Sequence, residues 1–263
     1  MSRAPTTRTV ADQITTLLTG FTLTTAAREM VSRFIDAAQQ PALPVLLDVL
    51  QLEAQERHER RITRLRRASK LPPGKTFDTL DEGRLPPALV RKLHELAEGD
   101  FLADATNVLA FGLPGVGKSH AMCAVGHALV DRGHAVLFMP TYSLVQELLA
   151  AKRNLELPRA LRKLDHYAVL LLDDVGYIQQ SPDEAEILFT LLAERYERRS
   201  VVITSNLIFA QWDRIFRDQM ATAAAIDRLV HHSVLLEFDV SSFRTEHAKR
   251  KGKATPSRAE AAS

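Results

Sequence analysis

Residues 107–120 read NVLAFGLPGVGKSH, and this stretch decides the fold. An apolar run ends at Gly112; four residues later come Gly117, Lys118 and Ser119. The spacing G-x-x-x-x-G-K-S is that of a phosphate-binding loop, and the context is the required one, a strand before it and a helix after it. Gly112, Gly115 and Gly117 permit the dihedrals with which backbone N–H groups turn toward phosphate oxygens. The helix N-terminus adds a favourable field for anions. Pro114, Val116 and His120 complete the predicted nucleotide-binding stretch. Lys118 is placed to reach the β- and γ-phosphates, and the Ser119 hydroxyl to ligate magnesium, so ATP and Mg2+ are the expected cofactors.

Outward from the loop, strands and helices alternate. AVLFMP (135–140), AVLLLDD (168–174), SVVITSN (200–206) and SVLLEF (233–238) read as strands. The second of these is apolar without alternation, as a strand buried on both faces should be. SHAMCAVGHALVDRG reads as a helix with Gly133 as its C-terminal cap. SPDEAEILFTLLAERYERR opens with Ser181 as N-cap, Pro182 in the first turn and acids behind it. FAQWDRIF and ATAAAIDRLVHH read as further helices. The alternation predicts an α/β three-layer sandwich, a parallel central sheet with helices on both faces.

Residues 10–69 read as helices interrupted at Pro41 and Pro44. LPPGKTFDTLDEGRLPP (71–87) reads as a linker. The predicted organisation is a small helical N-terminal domain over 1–72, a nucleotide domain over 73–247 and a basic tail over 248–263, too poor in apolar residues to fold.

At 263 residues and 46% hydrophobic, the chain can bury a real core. It has no apolar run long enough to cross a membrane. Its N-terminus lacks an apolar signal core, and the single Cys123 excludes an internal disulfide; both predict a cytoplasmic protein with no membrane partner. The net charge of +2 hides a segregation. Residues 51–75 hold eight Lys/Arg against three Glu, and residues 244–263 hold six against two. Arg57, Arg60, Arg61, Arg64 and Arg67 share one side of a predicted helix, since neighbours three and four apart share a face. Such a row fits duplex DNA, or simply a solvated face.

Other candidates sit at strand ends. Asp173 closes a buried strand, where ligands bind in open α/β folds, and is the candidate for the magnesium's water shell. Asp174 comes next and is the candidate to orient or deprotonate the attacking water. Asn206 ends another strand. It can hold that water if its strand lies between the loop strand and the Asp173 strand; the alternative is an ordinary turn Asn. Arg228 is either a surface arginine or a finger inserted into a neighbouring subunit's nucleotide. His120, His127 and His134 are spaced two turns apart, too far for joint metal ligation, and read as packing residues. His231 and His232 are adjacent and, on a helix, point different ways. Cys123 and Trp212 read as core.

The order GLPGVGKS, LLLDDVGY, LLAERYERRSVVITSN, FAQW, AAAIDRLVHHS and SFR resembles the IstB family of transposition helper ATPases, AAA+ proteins related to the DnaC helicase loaders. The resemblance covers roughly residues 75–247. It implies Walker A at Gly112, Gly115, Gly117, Lys118 and Ser119, Walker B at Asp173 and Asp174, a sensor at Asn206 and a trans arginine at Arg228. Arg244 falls where the family has the arginine of SYR. Thr76-Phe77-Asp78 resembles the segment that leads into the family's nucleotide domain near the adenine. The resemblance also implies a homo-oligomer formed with ATP on duplex DNA, which it deforms, and an IstA-like transposase as partner. AAA+ ATPases usually carry Glu where Asp174 stands, one methylene longer. That departure keeps open an ATP-gated DNA-binding scaffold with little turnover, beside the transposition helper and a DnaC-like loader in replication. A small-molecule kinase would need an acceptor pocket and an Arg-rich lid, and the sequence offers neither.

Overall fold

The structure, a computed structural model, describes residues 7–176, 181–212, 215 and 219–239. Arg244 and the tail at 248–263 lie outside the described residues. The chain divides into two compact units, Met1–Arg64 and Leu65–Ser263.

In the second unit the described strands are β1 (Asn107–Gly112), β2 (Val136–Pro140), β3 (Val169–Val175), β4 (Ser200–Ser205) and β5 (Ser233–Phe238). They form one sheet in the order β2-β3-β4-β1-β5, every pairing parallel. Side chains alternate between its two faces as the pleat requires. Val108, Ala110, Val169, Leu171 and Val202 pack with α5 (Lys118–Asp131) and α4 (Pro87–Glu98). Leu109, Phe111, Leu170, Leu172, Val201 and Ile203 pack on the other side. There they meet α6 (Thr141–Arg153), α7 (Leu157–Asp165), α8 (Pro182–Arg195) and α9 (Gln219–Val230). This is the expected three-layer sandwich. Each fully buried leucine of β3 contributes about 1.5–3 kcal/mol, which is why that strand reads as an unbroken apolar run.

Local signals account for the helix ends. Ser181 Oγ accepts from the Glu184 amide at 3.3 Å, and the Glu184 carboxylate accepts from the Ser181 amide at 2.7 Å. Arg195, buried, donates to the carbonyls of Leu164, Tyr167, Ala168 and Ser200, tying α8 to the start of β3 and β4. Burial pulls its pKa down to about 10, so it stays charged at neutral pH. FAQWDRIF begins as a short 3-10 turn, Phe209–Gln211, and its residues 213, 214 and 216 lie outside the described residues. Trp212 is fully buried and its indole N–H donates to the Leu207 carbonyl at 3.1 Å.

Two readings need correction. Helix α4 is not among the expected elements, although Pro87 at its start, Leu89, Leu93 and Leu96 on one face, and left-handed Gly99 after its end are ordinary helix signals. The stretch 71–87, read as a linker, is packed against the nucleotide unit. Leu71 lies where a Cβ on Gly126 would come within 3.0 Å of it. His127 Nε2 lies 3.0 Å from the Pro72 carbonyl, and Phe77 stacks on His94 at 4.7 Å. Prolines and glycines marked the absence of long regular structure there, and a well-bonded strap satisfies that signal as well as a free linker does.

The first unit contains α1 (Thr7–Gly20), α2 (Thr24–Asp36) and the greater part of α3 (Leu43–Ser69). Val10, Ile14, Leu18, Leu43 and Leu47 make its small core. Pro41 falls in a 3-10 turn and Pro44 in the first turn of α3, where a missing N–H costs nothing.

Candidate active site

The sheet order decides which side chains can meet. β4 lies between β1 and β3, so the carboxyl ends of three neighbouring strands deliver the loop, Asn206 and Asp173–Asp174 to one edge. The condition on which the reading of Asn206 depended is therefore met.

The loop leaves β1 at Gly112 with φ of +153°, and a Cβ there would sit 2.6 Å from the Phe238 carbonyl oxygen, so only glycine fits. It enters α5 through Gly117, left-handed at φ of +98°. Val116 is fully buried between them, whereas Leu113 and Pro114 are exposed. Lys118 opens the helix and is only 4% exposed. Its ammonium donates to the Gly112 carbonyl at 2.8 Å, the Leu113 carbonyl at 2.9 Å and Asn206 Oδ1 at 2.6 Å. A cation buried at this depth needs such partners, and here they belong to the loop and the neighbouring strand end.

Asp173 is half-buried and Asp174 exposed. The Thr204 hydroxyl donates to Asp173 Oδ1 at 2.6 Å and accepts from the Asp174 amide at 3.0 Å. Thr141, first residue of α6, donates its hydroxyl to the Asp173 carbonyl at 2.9 Å. Ser119 and Asp173 offer a hydroxyl and a carboxylate, oxygen donors of the kind a hard divalent cation takes. In the sequence Thr204 is only part of a polar strand end; its two bonds depend on a pairing that sequence does not display.

His120 belongs to the strap. Its Nε2 lies 3.1 Å from the Thr76 carbonyl and 3.0 Å from Thr79 Oγ1, so its side chain is committed to the chain's own backbone and hydroxyl. That brings the 76–79 turn against the first turn of α5. Cys123 is buried, and burial pushes its thiol up to about 12, which removes it as a nucleophile.

Arg228 is half-buried on α9, its guanidinium 4.6 Å from the centre of the Phe189 ring. Its Nη1 is buried with no hydrogen-bond partner among the described residues. His231 and His232 do not point apart on a helix: α9 ends at Val230, and the turn after it sets the two rings 4.4 Å apart, edge to face. With Glu197 they form an exposed cluster whose donor atoms lie within 4.8 Å of one another.

On α3 the arginines are exposed. Arg57 bonds Glu53 at 2.5 Å and lies over the Phe21 ring at 4.3 Å; Arg60 pairs with Glu56. The Arg57 guanidinium holds the Glu53 carboxyl below the usual range. Such solvent-exposed pairs hold weakly, so they leave the arginines able to change partners.

Comparison with known proteins fits this arrangement. A protein of Sinorhizobium fredii that bears the name of an insertion sequence ATP-binding protein is 43% identical over 79% of this chain and 70% of its own length. An IS21 insertion sequence protein of Pseudomonas aeruginosa, also named for ATP binding, is 39% identical over 77% of each chain. Among solved structures, AMPPCP-bound DnaA from Aquifex aeolicus superposes with a TM-score of 0.55 at 19% identity, over 70% of this chain and 56% of that one. DnaI superposes with a TM-score of 0.53 at 21% identity, over 64% of this chain and 95% of that one. Both share the AAA+ fold. The IstB-like ATP binding protein family matches residues 17–251, taking in the N-terminal helices as well as the sheet, and the chain belongs to that family.

Proposed function

We propose that this chain is a cytoplasmic ATPase that assembles with ATP on duplex DNA and assists or regulates a partner transposase of the IstA type. The observation that carries the reading is the bond between Lys118 and Asn206: one strand edge holds a buried lysine in a phosphate loop, a polar strand-end residue and a carboxylate pair. The insertion-sequence names of the relatives supply the transposition context. In this reading Lys118 and the loop amides bind the phosphates. Ser119 would hold magnesium and Asp173 its water shell, and the ion would supply charge neutralisation at the phosphates. Asn206 positions the water, and Asp174 orients it or accepts its proton. Phosphate release from ATP, measured with and without duplex DNA and purified transposase, tests the whole. Absence of turnover under all conditions would leave the ATP-gated scaffold in its place.

Arg228 is assigned to a neighbouring subunit's nucleotide. Its place on α9, after β4 and Asn206, is where the family's trans arginine falls, and this supports the reading. Arg228→Ala is expected to bind ATP normally and to lose roughly 10³-fold or more in turnover, as arginine fingers do. Mixing it with Lys118→Ala should restore part of the activity, since a mixed interface contains one intact site. No rescue in assembled mixtures would exclude a trans role.

The α3 row is assigned to DNA phosphates. Changing Arg60, Arg61 and Arg64 together to glutamine is expected to flatten the slope of log affinity against log salt by roughly two to three, at about 0.9 per phosphate contact. ATP binding should persist. An unchanged slope and affinity would remove DNA from the role of this helix.

A further inference from the structure

Consecutive residues of a regular strand face opposite sides of a sheet. A pair such as Asp173–Asp174 should therefore deliver one carboxylate to each face. The structure departs from that rule at this point. Val169 and Leu171 belong to the α5 layer, and Leu170 and Leu172 to the opposite layer. Strict alternation from Leu172 would return Val175 to the α5 side, yet Val175 packs in the opposite core. The register records the same slip: Leu172 pairs with Ile203, but Val175, three residues on, pairs with Ser205, only two residues on. One residue of β3 is extra. Asp174 has φ of +58°, in the left-handed region, and its amide has left the ladder for the Thr204 hydroxyl. This is a β-bulge, the device that re-aims side chains beside active sites.

We propose that fully buried Thr204 is a positioning residue that sets this bulge and, through it, both carboxylates. Its single hydroxyl does two things. It accepts from the Asp174 amide, replacing the carbonyl that a regular ladder would have supplied, and it donates to Asp173 Oδ1, fixing that carboxylate by one oxygen and leaving the other for the metal. The aspartate at 174 suits this geometry. A left-handed backbone is tolerated best, after glycine, by Asn and Asp, whose short side chains bond locally. The inference rests on the reading of Asp173 as the magnesium residue.

Three variants test it. Thr204→Val keeps the shape and removes both bonds, Thr204→Ser keeps the hydroxyl, and Thr204→Ala removes it with less bulk should the valine protein not fold. The readouts are ATP turnover, the Mg2+ midpoint for binding a fluorescent ATP analogue, and binding of the same analogue in excess EDTA. Loss of an outer partner to a metal ligand typically costs about 10–100-fold in metal affinity or activity. Thr204→Val, or the alanine protein, is expected to lose that much in turnover and to need correspondingly more Mg2+, with EDTA binding unchanged and Thr204→Ser close to wild type. An unchanged Mg2+ midpoint in the hydroxyl-less proteins, or a serine protein as impaired as they are, overturns the proposal. If the wild type turns over no ATP, the ATPase reading fails by itself, and the Mg2+ midpoint still decides the role of Thr204.

Discussion

Lys118→Ala is expected to weaken ATP binding by roughly 100-fold. A hydrogen bond to a charged group is worth about 1.5–3 kcal/mol, and a lysine spanning two phosphates makes more than one, which gives a loss near 3 kcal/mol. The same ammonium also ties the carbonyls of Gly112 and Leu113 to Asn206. Its removal therefore loosens the loop as well as removing charge. Calorimetric titration with ATP measures the first effect, and a melting curve without nucleotide measures the second. A variant that binds ATP as the wild type does would show that the loop amides carry the phosphates without Lys118.

Asp174→Asn is expected to leave ATP affinity nearly unchanged and to lower turnover by about 10²–10⁴, the usual cost of losing a base or a water-orienting carboxylate. Asparagine is the informative replacement here. It is nearly isosteric, and it tolerates φ of +58° as aspartate does, so the bulge survives while the charge is lost. Single-turnover phosphate release separates chemistry from product release. Hydrolysis at the wild-type rate would take Asp174 out of the reaction.

Much of this molecule is legible in its sequence because the decisive signals are local. A glycine loop between an apolar run and a helix announces itself, and so does β3, buried on both faces. The Ser181 capping box is equally plain. Helix α4 carries the same kind of local signal in its caps and apolar face, yet it is absent from the elements expected from the sequence. Local pattern fails where a signal has two physical solutions. Pro72, Pro73 and Gly74 exclude regular structure but do not say whether the segment floats or packs. His231 and His232 look opposed only if the helix continues through them. Thr204 is hidden for another reason. Its value comes from Asp173 and Asp174, some 30 residues earlier, and only the parallel pairing of β3 with β4 brings them together.

By composition, residues 71–87 are where one would part the chain and graft another N-terminal module. The contacts of Leu71, Pro72, Thr76 and Thr79 with Gly126, His127 and His120 forbid it. A fragment beginning at residue 73 would bare the side of α5 that Leu71 covers and leave His127 without its carbonyl. Any exchange of N-terminal helices has to splice upstream of Leu71, so that the strap is inherited with the nucleotide unit it clasps. What travels as one piece is then longer than the motif-bearing sequence suggests, and the seam between interchangeable parts runs through a helix.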